Sequence, residues 1–123
     1  MTRVLITGGA GFVGVNLVAH LSAAGGYELT VLDDESLGNR AHLAPFGARF
    51  IAGDVADRAV LDEALGDTDV VVPLAADTRV MDSIADPSKN FESNVVGSFV
   101  LLEACRAHGV GRVVAASTGG AIL

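Results

Sequence analysis

The chain has 123 residues, 50% of them apolar and 19% charged, which suits one small folded domain and excludes a disordered segment. Fifteen acids against eight bases leave a net charge of −7, so the basic surface that nucleic-acid phosphates require is missing. No apolar run is long enough to span a bilayer, which argues against a membrane partner.

Residues 3–7, "RVLIT", form a short apolar run ending in glycines, the pattern of a buried strand. Gly8, Gly9, Gly11 and Gly14 then break up what would otherwise resemble the core of a secretory signal. A helix follows from Gly11, with Phe12, Val15, Val18 and Ala19 on one face and Leu21 at its edge, stopping at Gly25-Gly26. Strands are expected over 27–33, 48–54 and 69–76, with a short helix from Ala56 to Leu65 between the last two. Asp86-Pro87 starts a long helix to about Ala107, on which Phe91, Val95, Phe99 and Leu102 recur every three or four residues. Asn94 is placed on its inward stripe with Phe91, Val95 and Ser98. A fifth strand covers 112–118. The lone cysteine, Cys105, can form no internal disulfide; it reads as a small apolar side chain in a reducing, cytoplasmic protein.

Strands this apolar, separated by helices, imply an α/β fold: a doubly wound parallel sheet of Rossmann type, covered on both faces, in the order 3-2-1-4-5. Ligands of such sheets bind beyond the carboxyl ends of the strands where the order reverses, here between strands 1 and 4. "TGGAGFVG" (7–14) lies at that point. Gly8, Gly11 and Gly14 have the spacing that permits a tight turn, lets a pyrophosphate approach a helix N-terminus, and closes the helix onto the strand. Asp33, nineteen residues past Gly14 at the end of strand 2, is placed to accept hydrogen bonds from the ribose hydroxyls of an adenosine. With Asp34 and Glu35 beside it, this loop repels a 2′-phosphate, and the nearest base in sequence is Arg40. NAD is therefore expected over NADP. Asp34 and Glu35 also read as a solvated loop, whereas a magnesium site would need ligands converging from elsewhere, and none is expected.

"TGGAGFVG", "VLDD", "GDVAD", "PLAADTRV", "DPSKNFESNVVGSFVLLEACR" and "RVVAASTGGA" stand in the order found in the extended short-chain dehydrogenase/reductase family. The whole chain resembles its NAD-dependent nucleotide-sugar epimerases and dehydratases, such as the UDP-glucose 4-epimerases. The resemblance implies a cofactor set of Gly8, Gly11, Phe12, Val13, Gly14, Asp33, Asp34, Asp54, Val55, Leu74, Ala75, Ala76, Thr78, Asn94 and Ser117. Within it, Asp54 and the Val55 backbone would meet the adenine, although Asp54 could also cap the helix after strand 3. Leu74, Ala75 and Ala76 would line the pyrophosphate and ribose, and equally suit close packing at a strand end. Thr78 is either a phosphate or ribose contact or a turn residue. Asn94 either touches the cofactor or ties its helix to nearby backbone. Pro73 stands where the family often has His.

The same resemblance makes Thr118 the catalytic hydroxyl, hydrogen-bonded to the sugar hydroxyl that loses its hydride from C4 to NAD. Gly119 and Gly120 follow, where the 4,6-dehydratases carry an Asp-Glu pair, and neither can transfer a proton. A 4-epimerase needs no such pair, because the hydride returns to the other face of a rotated keto-sugar. The family's Tyr-x-x-x-Lys pair is not found: Tyr27 is followed four residues on by Val31, and Lys89 has no partner tyrosine. The reading is an N-terminal portion, residues 1–123, of a longer enzyme that is inactive alone and dimerises through the 87–107 helix when complete. A non-catalytic NAD-binding module and a truncated product are the alternatives.

Overall fold

The computed structural model describes residues 1–36, 38–75 and 84–116 of the chain. Five parallel strands, β1 (Thr2–Thr7), β2 (Tyr27–Asp33), β3 (Arg49–Ala52), β4 (Val70–Pro73) and β5 (Arg112–Val113), form one sheet in the order β3-β2-β1-β4-β5. The registers align Ile6 with Val31 on one side and with Val72 on the other, so β1 sits at the centre. The helices are α1 (Phe12–Ala24), α2 (Arg58–Leu65), α3 (Pro87–Asn90) and α4 (Gly97–Ala107), with a π-helical segment, Phe91–Val96, joining the last two.

Side chains alternate across the strands, and both faces are buried. Leu5, Leu32, Ile51 and Val71 pack beneath Leu61 and Leu65 of α2 and Leu101, Ala104 and Cys105 of α4. Val4, Ile6, Leu29 and Val31 pack beneath Val18 of α1 and Leu43. Leu43 belongs to a 3₁₀ segment, Arg40–Phe46, begun by Asn39 and ended by Gly47, in a region for which the sequence suggested no element.

Several expected boundaries move. β4 stops at Pro73 because its partner strand β1 ends at Thr7, where the chain turns away. β3 stops at Ala52, and beyond it the Gly53 amide donates to the Asp33 carbonyl. β5 is two residues long, extended by one bond from the Val114 amide to the Val71 carbonyl. α2 begins at Arg58, not Ala56, because Asp57 caps it.

Two helix faces are corrected. Phe12 is 86% exposed, since the first turn of α1 stands past the end of β1, and the buried residues of α1 are Gly14 and Val18. Phe91 and Val95 are not inward either. Both are more than half exposed, as are Phe99 and Leu102, and Ser98 is exposed too. The face on the core is Gly97, Leu101, Ala104 and Cys105, and an added Cβ at Gly97 would meet the Val55 side chain at 3.4 Å.

Candidate functional site

The turn after β1 is shaped by its glycines. Gly8 has φ 68°, a left-handed conformation that side chains disfavour, and a Cβ there would lie 2.6 Å from the Ala75 nitrogen. Its own amide donates to the Leu32 carbonyl at 2.8 Å. At Gly14 a Cβ would lie 2.3 Å from the Gly9 Cα, so α1 closes directly on the turn. Gly11 differs from both. Its φ is an ordinary −81°, and the nearest atom to an added Cβ is the Gly8 carbonyl oxygen at 3.4 Å. Among the described residues nothing requires glycine there, and they leave the space open.

That opening faces the start of α1. Gly11 offers no side-chain cap, and the first turn carries no acidic residue. The helix therefore presents bare N–H groups and the positive end of its dipole beyond the sheet, the arrangement that receives anions. Phe12 and Val13 are exposed on this first turn.

Asp33 closes one side of the turn. It is 8% exposed; one carboxylate oxygen accepts from the Ala10 amide at 3.0 Å and the other from the Glu35 amide at 2.7 Å. A carboxylate has about four acceptor positions, so these two bonds leave capacity for ribose hydroxyls. Asp34 is exposed and accepts from the Ser36 amide. The opposite side is the end of β4. The Leu74 amide donates to the Thr7 carbonyl at 2.9 Å and the Ala75 amide to the fully buried Thr7 hydroxyl at 3.4 Å. The turn of β1 and the exit of β4 thus lie side by side at the point where strand order reverses.

Asp54 is exposed, and its carboxylate accepts from the Ala56 amide at 2.8 Å. It does not cap α2; Asp57 does, accepting from the Ala59 amide. Val55 packs against the α2–α4 side of the core. Asn94 is partly buried in the π-helical segment, and its carbonyl accepts from the Ser98 hydroxyl. Cys105 is buried, which pushes its thiol pKa up and suits a packing role. Ala76, Thr78, Ser117 and Thr118 lie outside the described residues.

Two further residues shape the turn. A Cβ at Gly38 would sit 2.5 Å from the Ala10 carbonyl group, and the Asn39 amide donates to the Ala10 oxygen at 3.2 Å. This Gly-Asn step clasps the glycine turn from above. The dipeptide is a turn signal in the sequence, but its partner is 28 residues away.

The NAD dependent epimerase/dehydratase family matches residues 4–122. A dTDP-glucose 4,6-dehydratase of Mycolicibacterium smegmatis is 43% identical over 113 residues, covering 88% of this chain and 34% of that protein. A UDP-glucose 4-epimerase of Corynebacterium glutamicum is 42% identical over 118 residues, covering 94% and 35%. The chain thus spans about a third of the length of these curated relatives. The NAD complex of Thermus thermophilus UDP-glucose 4-epimerase superimposes with a TM-score of 0.90 at 42% identity, covering 98% of this chain and 39% of that one. The dTDP-glucose 4,6-dehydratase DesIV of Streptomyces venezuelae, also with NAD bound, gives 0.86 at 41% identity, covering 91% and 38%. No helix of the described residues is long and apolar enough to cross a membrane.

Proposed function

Because the chain belongs to the NAD-dependent epimerase/dehydratase family, we propose that it forms the NAD-holding part of a nucleotide-sugar 4-epimerase. One observation carries the cofactor site: the uncapped start of α1, cleared by Gly11 and flanked by the Asp33 carboxylate. The pyrophosphate would lie against the bare N–H groups at Phe12, Val13 and Gly14, with Gly8 holding the turn closed. Asp33 would accept from the adenosine ribose, Asp34 standing beside it, and Asp54 with the Val55 backbone would take the adenine. Leu74, Ala75 and Ala76 would line the other wall, with Thr78, Asn94 and Ser117 toward the nicotinamide half. When bound, NAD supplies a reversible hydride acceptor. Thr118 would hydrogen-bond the sugar hydroxyl, and a Tyr-x-x-x-Lys pair outside this chain would move the proton.

Sequence identity does not separate the two reactions, since a dehydratase relative stands at 43% and an epimerase relative at 42%. Gly119 and Gly120 favour the epimerase, because glycine cannot supply the acid and base that eliminating water needs. Calorimetric titration with NAD tests the binding reading; absence of binding overturns it. Incubating the protein as its own cell makes it with UDP-glucose, then with dTDP-glucose, tests the reaction. A 4-epimer of the first supports the proposal, and a 4-keto-6-deoxy product from the second supports a dehydratase.

The exposed row Phe91, Val95, Phe99 and Leu102 supports pairing of two copies through the 87–107 helix. A light-scattering mass of one copy would sink that part. The unpaired buried thiol of Cys105 fits a cytosolic home.

A further inference from the structure

The loop that follows Asp33 holds an arrangement that the cofactor reading above does not use. Glu35 has φ 61°, a left-handed conformation that is uncommon for a residue with a side chain. It is held there by the bond from its amide to the Asp33 carboxylate. In this conformation its own carboxylate accepts from Arg40 Nε at 2.7 Å. The Arg40 guanidinium also lies over the Phe50 ring, 4.3 Å from its centroid. Glu35 is thus bonded directly to Asp33, and Arg40 immediately follows Asn39, whose amide donates to the carbonyl of Ala10, the residue whose own amide donates to Asp33.

We propose that the Glu35–Arg40 pair, backed by Phe50, is a specificity latch that keeps the site selective for an unphosphorylated adenosine ribose. The proposal rests on the assignment of Asp33 to that ribose. A 2′-phosphate entering beside Asp33 meets the carboxylates of Asp33, Asp34 and Glu35. An arginine near the ribose is the group that accommodates such a phosphate, and Arg40, the nearest in sequence, is already matched by a carboxylate and parked on a ring. The chain therefore carries a phosphate-binding side chain in a withheld state. Removing the Glu35 charge both lowers the repulsion and frees the guanidinium.

The test is calorimetric titration of the full protein with NAD and with NADP, for wild type, Glu35→Gln, and Glu35→Gln combined with Arg40→Met. Glu35 and Arg40 are both partly exposed, and thermal melts check that each variant is folded. The expected result is a rise of at least tenfold in NADP affinity relative to NAD in Glu35→Gln, most of it lost when Arg40→Met is added. A relative affinity changed less than twofold in a folded Glu35→Gln protein overturns the latch while leaving the ribose reading intact. A gain that survives Arg40→Met also overturns it, by showing that lost repulsion alone is responsible. A wild-type protein that binds neither dinucleotide overturns the ribose reading and the latch with it.

Discussion

Two helices that follow strands of this sheet, α1 and α2, begin in opposite ways. α2 closes its own first turn: Asp57 accepts from the Ala59 amide. The 3₁₀ segment and α3 begin likewise, with Asn39 and Asp86 as caps. α1 alone among these four begins on a glycine with no side-chain acceptor. Glycine in place of a Ser, Asp or Asn cap costs only about a few tenths of a kcal/mol, so the bare start of α1 at the helix nearest the centre of the sheet has a small stability cost. The difference is that three of these starts are capped by a side chain of the chain itself, whereas the start of α1 receives no such cap, which is what the proposed cofactor site requires.

The sharpest way to break the contrast is to give α1 the cap that α2 has. Gly11 already has the extended ψ of a cap residue, and among the described residues an added Cβ there meets nothing closer than 3.4 Å. Gly11→Asp is therefore expected to leave the thermal midpoint unchanged or slightly raised. NAD affinity should fall about a hundredfold, roughly 2.7 kcal/mol, because the carboxylate occupies the space and the N–H groups assigned to the pyrophosphate. Calorimetry and a melt on the same sample check this; retained NAD affinity would remove α1 from the site.

Gly14→Ala strikes the other glycine role. Its Cβ would fall 2.3 Å from the Gly9 Cα, backbone against backbone, with no flexible side chain to yield. Overpacking of this kind costs about 1–3 kcal/mol, a large share of a typical folding free energy of about 5–15 kcal/mol. Urea unfolding should show a lower midpoint, in contrast to Gly11→Asp.

These two glycines look alike in the sequence, and only the structure separates them by what stands opposite each missing Cβ. The strand order was readable because each apolar run is bounded by glycine or an acid, and because right-handed crossovers leave few topologies. Asp33 was readable from its distance along the chain. Gly38 was not, because its partner Ala10 is remote in sequence and the contact is steric. The inward face of the long helix was misread at Phe91 and Val95. Apolar residues recur on two of its faces, and the π-helical segment shifts the register between them. The 3₁₀ segment, with Pro45 inside it, has no helical period to detect. Thr118 and Thr78 were assigned only by resemblance, and both lie outside the described residues.

On the α2 side of the comparison, Asp57→Ala should cost about 1 kcal/mol by leaving the Ala59 amide without its cap. NAD affinity should not follow, since this cap belongs to the fold and not to the ligand. Chemical denaturation gives the first quantity and calorimetry the second. A drop in NAD affinity as large as that of Gly11→Asp would erase the distinction between the two helix starts.

The smallest effect is expected where α2 is tied to the end of α4. Asp62 lies 2.8 Å from His108 Nε2 and accepts from Arg58 Nε at 2.9 Å. The hydrogen bond with His108, then that with Arg58, holds the Asp62 carboxyl below its ordinary value of 3.8. A carboxyl whose pKa is lower in the folded state than in the unfolded chain adds stability that is complete above the unfolded value. That stability fades as pH falls below 3.8 through the lowered folded value. Asp62→Asn should therefore melt slightly below wild type at pH 5 and converge with it toward pH 2. The difference is small because Asp62 and its partner Arg58 are both about half exposed, and added salt should shrink it further. Melts across that pH range at low and high salt measure it. A gap that stays constant with pH would mean that Asp62 acts through shape alone, and that α2 is fastened to α4 by the packing of Leu61 and Leu65 without help from charge.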